Sequence, residues 1–248
     1  MIELWHEWNS VHSFKVRITL AEKGLEWRSH PVSLLAFEHL SPSYIAINPD
    51  GLVPTLANDG VRRFDSSPIC EYLEEVAPMP RLMPADPVRR LAVRRWLKYH
   101  DDVAHAAVRD VSFQLLFKPY FAALPRAQLE ALVSRHPRPE RRQKFLDAGS
   151  SGVDRVALAQ GVRACEAVVA RLDAALVGRT WLVDDAFSLA DIAMAPAVER
   201  IENLALERLW ADRPHLAAWV ARVLARPSVT GARAPEGARL SRPGDPVL

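Results

Sequence analysis

The chain has 248 residues, 49% of them hydrophobic, and carries a net charge of only +2, so it has ample material for a packed core in one large or two small domains. Its well-mixed charge argues against a nucleic-acid surface, and its two distant cysteines, Cys70 and Cys165, support neither a disulfide framework nor a metal site. No signal-peptide pattern opens the chain and no apolar run approaches about 18 residues, so a reducing, cytoplasmic setting away from membranes is the expectation.

Residues 2–5 alternate as a strand does. Over 13–23, Val16 and Leu20 lie four apart and Gly24 follows as a C-cap, which predicts a helix. Residues 27–32 form a second strand. Residues 53–57 and 61–64, joined by Asn58-Asp59-Gly60, predict a hairpin. A helix over 67–76 stops before Pro78. Pro78, Pro80, Pro84 and Pro87 then mark a linker over 79–87.

Beyond the linker nothing reads as sheet. Residues 88–117 predict a long helix, on which Arg89, Arg90, Arg94 and Arg95 form a solvated face. Residues 119–152, with Pro137, Pro139, Gly149 and Gly152, read as irregular. Helices are expected over 153–177, 188–204 and 215–225, the second opened by a capping box at Ser188 and Asp191 with Phe187 and Ile192 as its staple. The expected organisation is a domain over 1–78, a linker over 79–87, an all-helical domain over 88–231, and a loose tail over 232–248.

Two motifs suggest a ligand. Asn48-Pro-Asp-Gly-Leu-Val-Pro-Thr-Leu56 places a Val-Pro dipeptide at a strand start, where a missing N–H does no harm. There the backbone of Val53 can pair with an extended peptide. Asp65-Ser-Ser-Pro-Ile-Cys-Glu-Tyr-Leu73 places an acid and two hydroxyls ahead of a helix. Asp65 suits an amine, and the helix N-terminus at Ser66 suits a carboxylate. The ligand implied is zwitterionic and peptide-like.

With Lys15-Val-Arg-Ile-Thr-Leu-Ala-Glu-Lys-Gly-Leu25 and Phe187-Ser-Leu-Ala-Asp-Ile192, these motifs make the chain resemble the glutathione S-transferases over about residues 1–230. The Ser13-Phe-Lys run and Ile69-Cys-Glu-Tyr-Leu-Glu are most similar to the bacterial β-etherase-like members. The resemblance implies a thioredoxin-like α+β domain followed by an all-α bundle, a two-fold dimer, and glutathione as co-substrate. It implies a cis bond before Pro54, a glutathione site at Val53, Pro54, Asp65 and Ser66, and His39 on the glycine carboxylate. Asp65 stands where the family usually has Glu, a shorter reach to the amine.

The thiolate needs stabilising, because a free thiol has a pKa of about 8.5 and two units of depression take about 2.7 kcal/mol. Three residues at the first helix are candidates. Ser10 falls where zeta- and theta-like classes place a serine, Ser13 where β-etherase-like proteins do, and His12 where zeta-like proteins carry a cysteine. Ser13 is favoured because a hydroxyl and the helix dipole act together at a helix start. A hydrophobic electrophile, such as an aryl compound, is expected between the domains, against Trp96, Tyr99, His100, Val103, Ala107 and Phe117, with Trp8 closing the site. A zeta-like isomerase and a non-enzymatic binding module are the competing readings.

Overall fold

A computed structural model describes residues 1–136 and 138–240, apart from the Glu140 side chain. Its first part is a four-stranded sheet in the order β2-β1-β3-β4, built from β1 (Ile2–His6), β2 (Trp27–Pro31), β3 (Thr55–Asn58) and β4 (Val61–Arg63). β1 runs parallel to β2 and antiparallel to β3, and β3 pairs antiparallel with β4. Ile2, Leu4 and His6 point inward in strict alternation. Asp59 and Gly60 both take positive φ, which matches the twist of a tight hairpin.

The parallel pair needs a crossover, supplied by α1 (Val11–Glu22). Gly24 ends α1 with φ +62, and the Leu25 N–H donates to the Leu20 carbonyl at 3.0 Å while the Gly24 N–H donates to Ala21 at 3.1 Å. This is a Schellman stop, for which a residue without Cβ is preferred. A short α2 (Pro42–Ile45) precedes β3, and α3 (Ser66–Val76) follows β4. The Val53–Pro54 and Met79–Pro80 bonds are cis.

Among the described residues, the rest is helical. A continuous helical run comprises α4 (Pro87–Tyr99), a π turn (His100–Ala104), α5 (His105–Ser112), a second π turn (Phe113–Phe117) and α6 (Lys118–Ala122). Then come α7 (Arg126–Ser134), α8 (Pro139–Ser150), α9 (Arg155–Leu176), α10 (Leu189–Asn203), α11 (Pro214–Leu224) and α12 (Pro227–Ala232). The chain is thus a thioredoxin-like α+β unit followed by an all-α one. α1 is buried on every side because it packs against α3 on one flank and α10 and α12 on the other.

Two expectations need correcting. Most of 119–152 is helix rather than irregular chain. Pro139 sits in the first turn of α8, where its missing N–H costs nothing. Gly149 is there because a Cβ would run into Leu129 of α7. Phe121, Leu129, Val133 and Ala148 thereby form a satellite core that also takes Phe37. The tail is also held through residue 240. Asn9 donates to the Ala238 carbonyl at 2.8 Å and accepts from the Leu240 N–H at 2.8 Å. Residues 241–248 lie outside the described residues.

The capping box forms. The Ser188 hydroxyl accepts from the Ala190 N–H at 3.3 Å, and Asp191 accepts from the Ser188 N–H at 3.1 Å. The other carboxylate oxygen accepts from the Leu182 N–H at 3.0 Å and the Trp219 indole at 2.8 Å. Asp191 therefore ties three segments together as well as capping α10. Ser188→Ala should lower stability by about 1 kcal/mol, the usual cost of a lost cap. Asp191→Ala should cost about 3 kcal/mol or more, because it strands several buried donors at about 1–3 kcal/mol each. Urea unfolding that ranks Asp191→Ala as the milder variant would refute this reading.

Candidate functional site

The first turns of α1 and α3 meet. His12 Nδ1 lies 3.1 Å from Ser66 Oγ, and beside them opens a cavity of about 520 Å³ whose wall includes Val53, Pro54, Asp65, Ser66 and His105. The N–H and C=O of Val53 enter none of the backbone hydrogen bonds of the described residues. Asp65 is the residue before α3, with φ +62, a strained conformation for a non-glycine. Its side chain makes no capping bond, which leaves the carboxylate available at the cavity. The wall therefore combines an unengaged strand-like backbone, an acid, and a helix N-terminus with a hydroxyl: groups for a peptide backbone, an ammonium and a carboxylate.

Behind this wall runs a network that joins the two parts of the chain. Lys15, wholly buried in α1, donates to Asp101 Oδ1 at 2.9 Å and to Ser67 Oγ at 2.7 Å. Ser67 donates to the other Asp101 oxygen at 2.6 Å. His100 Nδ1 lies 3.0 Å from Asp101 Oδ1, and the buried His100 Nε2 has no partner among the described residues. Burial works against ionisation of Asp101, but the His100 hydrogen bond, the Lys15 charge and the Ser67 hydroxyl outweigh it and hold the carboxyl below the usual carboxylate range. His12, His100 and Asp101 converge as metal ligands would, yet the Lys15 ammonium already sits against Asp101 and within 3.3 Å of His100. A divalent cation would meet that charge at close range.

Of the residues singled out from sequence, Val53, Pro54, Asp65, Ser66 and His12 come together on this cavity. Three others stand elsewhere. The Ser13 hydroxyl is buried and accepts from the Glu7 N–H at 3.3 Å. Ser10 is the N-cap of α1, accepting from the Ser13 N–H at 3.2 Å. His39 lines a different cavity, where burial pushes its pKa down to about 4. It is thus neutral there and carries no charge for a carboxylate.

Among the expected acceptor-site residues, Phe117 lines that second cavity, and His100 belongs to the network behind the first. Trp96 and Tyr99 pack edge to face and hold Arg171 of α9 against their rings. Ala107 is core, Val103 is 45% exposed, and Trp8 stacks over the Arg17 guanidinium. Sequence reasoning missed Lys15, Ser67, Asp101 and His105. No local signal marked them: α1 carries Arg17, Thr19 and Glu22 as well as Lys15, and what singles Lys15 out is a partner 86 positions away.

The second cavity, about 730 Å³, lies between residues 34–39 and α5–α9, and is walled by phenylalanines. His105 of the first cavity and Arg109 of the second lie one helical turn apart. At Gly51, beside the first, the backbone is left-handed (φ +61) and a Cβ would press tightly on Leu40 and the His39 carbonyl at 3.0–3.1 Å.

Comparison with known proteins fits this geometry. The family described as "Glutathione S-transferase, N-terminal domain" matches residues 9–76, and "Glutathione S-transferase, C-terminal domain" matches residues 127–227. Protein LigF of Sphingobium sp. strain SYK-6 is 34% identical over 225 residues, spanning 88% of this chain and 87% of its own. The crystal structure of that protein, a β-etherase, superposes with a TM-score of 0.82 at 31% identity, covering 93% of this chain and 98% of its own. A theta-class glutathione S-transferase from Xanthomonas axonopodis pv. citri, solved with glutathione bound, superposes with a TM-score of 0.70 at 26% identity, covering 93% and 96%. Maleylacetoacetate isomerase of Pseudomonas aeruginosa is 44% identical over 96 residues, 38% of this chain and 45% of its own.

The buried histidines give the site a pH signature. Burial, aided by neighbouring positive charges, pushes His6 down to about 3 and His100 and His105 to about 4, and lowers His12 as well. In the unfolded chain each titrates near about 6.5. The unfolded state therefore binds more protons between about pH 4 and 6.5, and the stability these groups contribute above that window is lost as pH falls through it. Urea unfolding at about pH 7 and about pH 5 should show that loss, and His105→Asn should reduce it. An identical pH dependence in the variant would count against a buried neutral His105.

Proposed function

The chain belongs to the glutathione S-transferase family, and we propose that it binds glutathione in the smaller cavity and delivers its thiolate to an aromatic electrophile in the larger one. The supporting observation is the convergence of Val53, Asp65, Ser66 and His12 on one wall. Asp65 holds the γ-glutamyl ammonium, the backbone N–H groups at the N-terminus of α3 hold its carboxylate, and the backbone of Val53 pairs with the cysteinyl residue. The sulfur then lies toward the start of α1.

His12 is the side chain of that first turn on the cavity wall. Its lowered pKa makes it a neutral imidazole, unsuited to act as a strong base. With Ser66 Oγ donating to Nδ1, Nε2 carries the proton and can donate to the thiolate, with the positive end of α1 adding to the effect. The sulfur attacks the electrophilic carbon, a C–S bond forms, and the bond to a halide or aryl-ether oxygen breaks with its electron pair leaving on that group. Ether cleavage as the physiological reaction draws support from the likeness to a β-etherase. An isomerase of the zeta-like kind is the second reading, favoured by the match to maleylacetoacetate isomerase but limited to about two-fifths of the chain. The Ser10-Val-His12 run also lacks that class's cysteine.

The family's two-fold dimer is part of the same proposal. Leu52, Val61, Val88 and Leu91 expose 58–75% of their surface, apolar area that a second copy can cover. Light scattering should give about twice the 27.7 kDa chain mass, and a monomer at micromolar concentration would reject the dimer.

Asp65→Ala should weaken glutathione binding by about 1.5–3 kcal/mol, the range for a charge-assisted hydrogen bond. Unchanged affinity by calorimetry would remove the amine from that position. His12→Ala should raise the apparent pKa of the bound thiol, seen as thiolate absorbance appearing at higher pH, and lower turnover more than binding. Ser13→Ala and Ser10→Ala should leave the titration in place. A shift in Ser13→Ala or Ser10→Ala with none in His12→Ala would return the role to that serine.

A further inference from the structure

We propose that the larger cavity selects aromatic substrates bearing a carboxylate, held at the cavity mouth by Arg141 and Lys144. The inference rests on the transferase reading for what the cavity does, and on its own walls for what it accepts. At about 730 Å³ it is of the size that encloses a small organic molecule. Phe37 and Phe121 form a buried floor, and Phe113, Phe117 and Phe145 stand half-buried around it. Phe37 reaches this position from a left-handed backbone, φ +57, which sets its ring 4.9 Å from Phe145 and 5.4 Å from His136. Rings presented at such angles offer faces and edges to another flat ring.

Charge is confined to the mouth, and it is unbalanced. Arg109, Arg141 and Lys144 contribute cations and Asp110 the single acid among the described lining residues. Asp110 is engaged by Arg109 at 2.9 Å. Neither Arg141 nor Lys144 has an ion-pair partner among the described residues. They lie three apart on α8, hence on one face of it, and the Lys144 ammonium rests 4.7 Å above the Phe113 ring. A ring seated among the phenylalanines would place an acidic substituent between these two cations. That substituent is a carboxylate rather than a phenol, because a phenol stays protonated at neutral pH with a pKa near 10 whereas a carboxylic acid is ionised. The opposite end of the ring faces Arg109 and, one turn back along α5, His105 on the glutathione cavity.

The test pairs a binding arm with a turnover arm, on the full chain. By calorimetry, 2-naphthoate should bind about tenfold or more tightly than 2-naphthamide, a factor expected of a charge-assisted contact, and the preference should shrink as salt rises. Arg141→Gln with Lys144→Gln should abolish the preference while leaving glutathione affinity and naphthamide binding unchanged. Equal binding of the acid and the amide by the native protein, or a preference that survives the double variant, would overturn the proposal. In the turnover arm, 4-chloro-3-nitrobenzoate and its methyl ester are compared with glutathione, each relative to its uncatalysed rate. The double variant should raise KM for the acid about tenfold and leave the ester's kinetics intact. Turnover of both compounds without any effect of the double variant overturns the carboxylate site and keeps the transferase. Absence of turnover with an intact naphthoate preference does the reverse.

Discussion

The ammonium of Lys15 is shut away from solvent, and a buried charge is tolerated only with a counter-charge in good geometry. Its partner, Asp101, comes from the helical domain, while Ser67, which completes the contact, opens α3. Docking the two domains and neutralising Lys15 are therefore one event. The same contact fixes the first turn of α3 relative to α1, and so sets the distance between His12 and Ser66 across the cavity. The wall of the smaller cavity is part of the thioredoxin-like domain by sequence, but its geometry is completed by a residue of the other domain.

A second set of buried cations holds the loop between β1 and α1 from behind. Arg17 donates to the carbonyls of Glu7, Trp8 and Ala232, and Arg200 reaches the Asn9 carbonyl and the Ser112 hydroxyl. These guanidiniums are satisfied largely by carbonyl dipoles, which suits the planar, many-donor group better than an ammonium. The consequence is local rigidity: residues 7–10 are tied to α1, α10 and the segment near residue 240, so His12 projects from a braced turn.

The sheet and the long helices were legible because each rests on local signals: alternation at Ile2, Leu4 and His6, Gly24 as a helix stop, Asp59-Gly60 as a hairpin turn, and Ser188 with Asp191 as a cap. That Val53, Pro54, Asp65 and Ser66 share one cavity was legible for a similar reason, since Val53-Pro54 and Asp65-Ser66 each form a contiguous motif. What escaped was anything decided by distant partners. Lys15 reads as a surface residue until Asp101 is placed 86 positions later. The helices over 126–150 escaped because Pro139 and Gly149 look like breakers, and only their positions, in a first turn and against Leu129, make them compatible with helix. Ser13 was singled out by its spacing, but a one-residue step around a helix turns a side chain by about 100°, so its hydroxyl is buried against the Glu7 N–H while His12 lines the cavity.

The helix that serves both cavities is interrupted by two π turns, His100–Ala104 and Phe113–Phe117. A π turn is an α-helix with a residue inserted, and it shifts the angular phase of everything downstream. In a regular helix Asp101 could not share its phase with the same neighbours while His105, Arg109, Phe113 and Phe117 kept theirs. Excising a single residue from the first π turn would leave the composition of both cavities almost untouched yet rotate His105 and the second wall relative to Asp101. The relative orientation of the two cavity walls is thus encoded in a count of residues as much as in their identities.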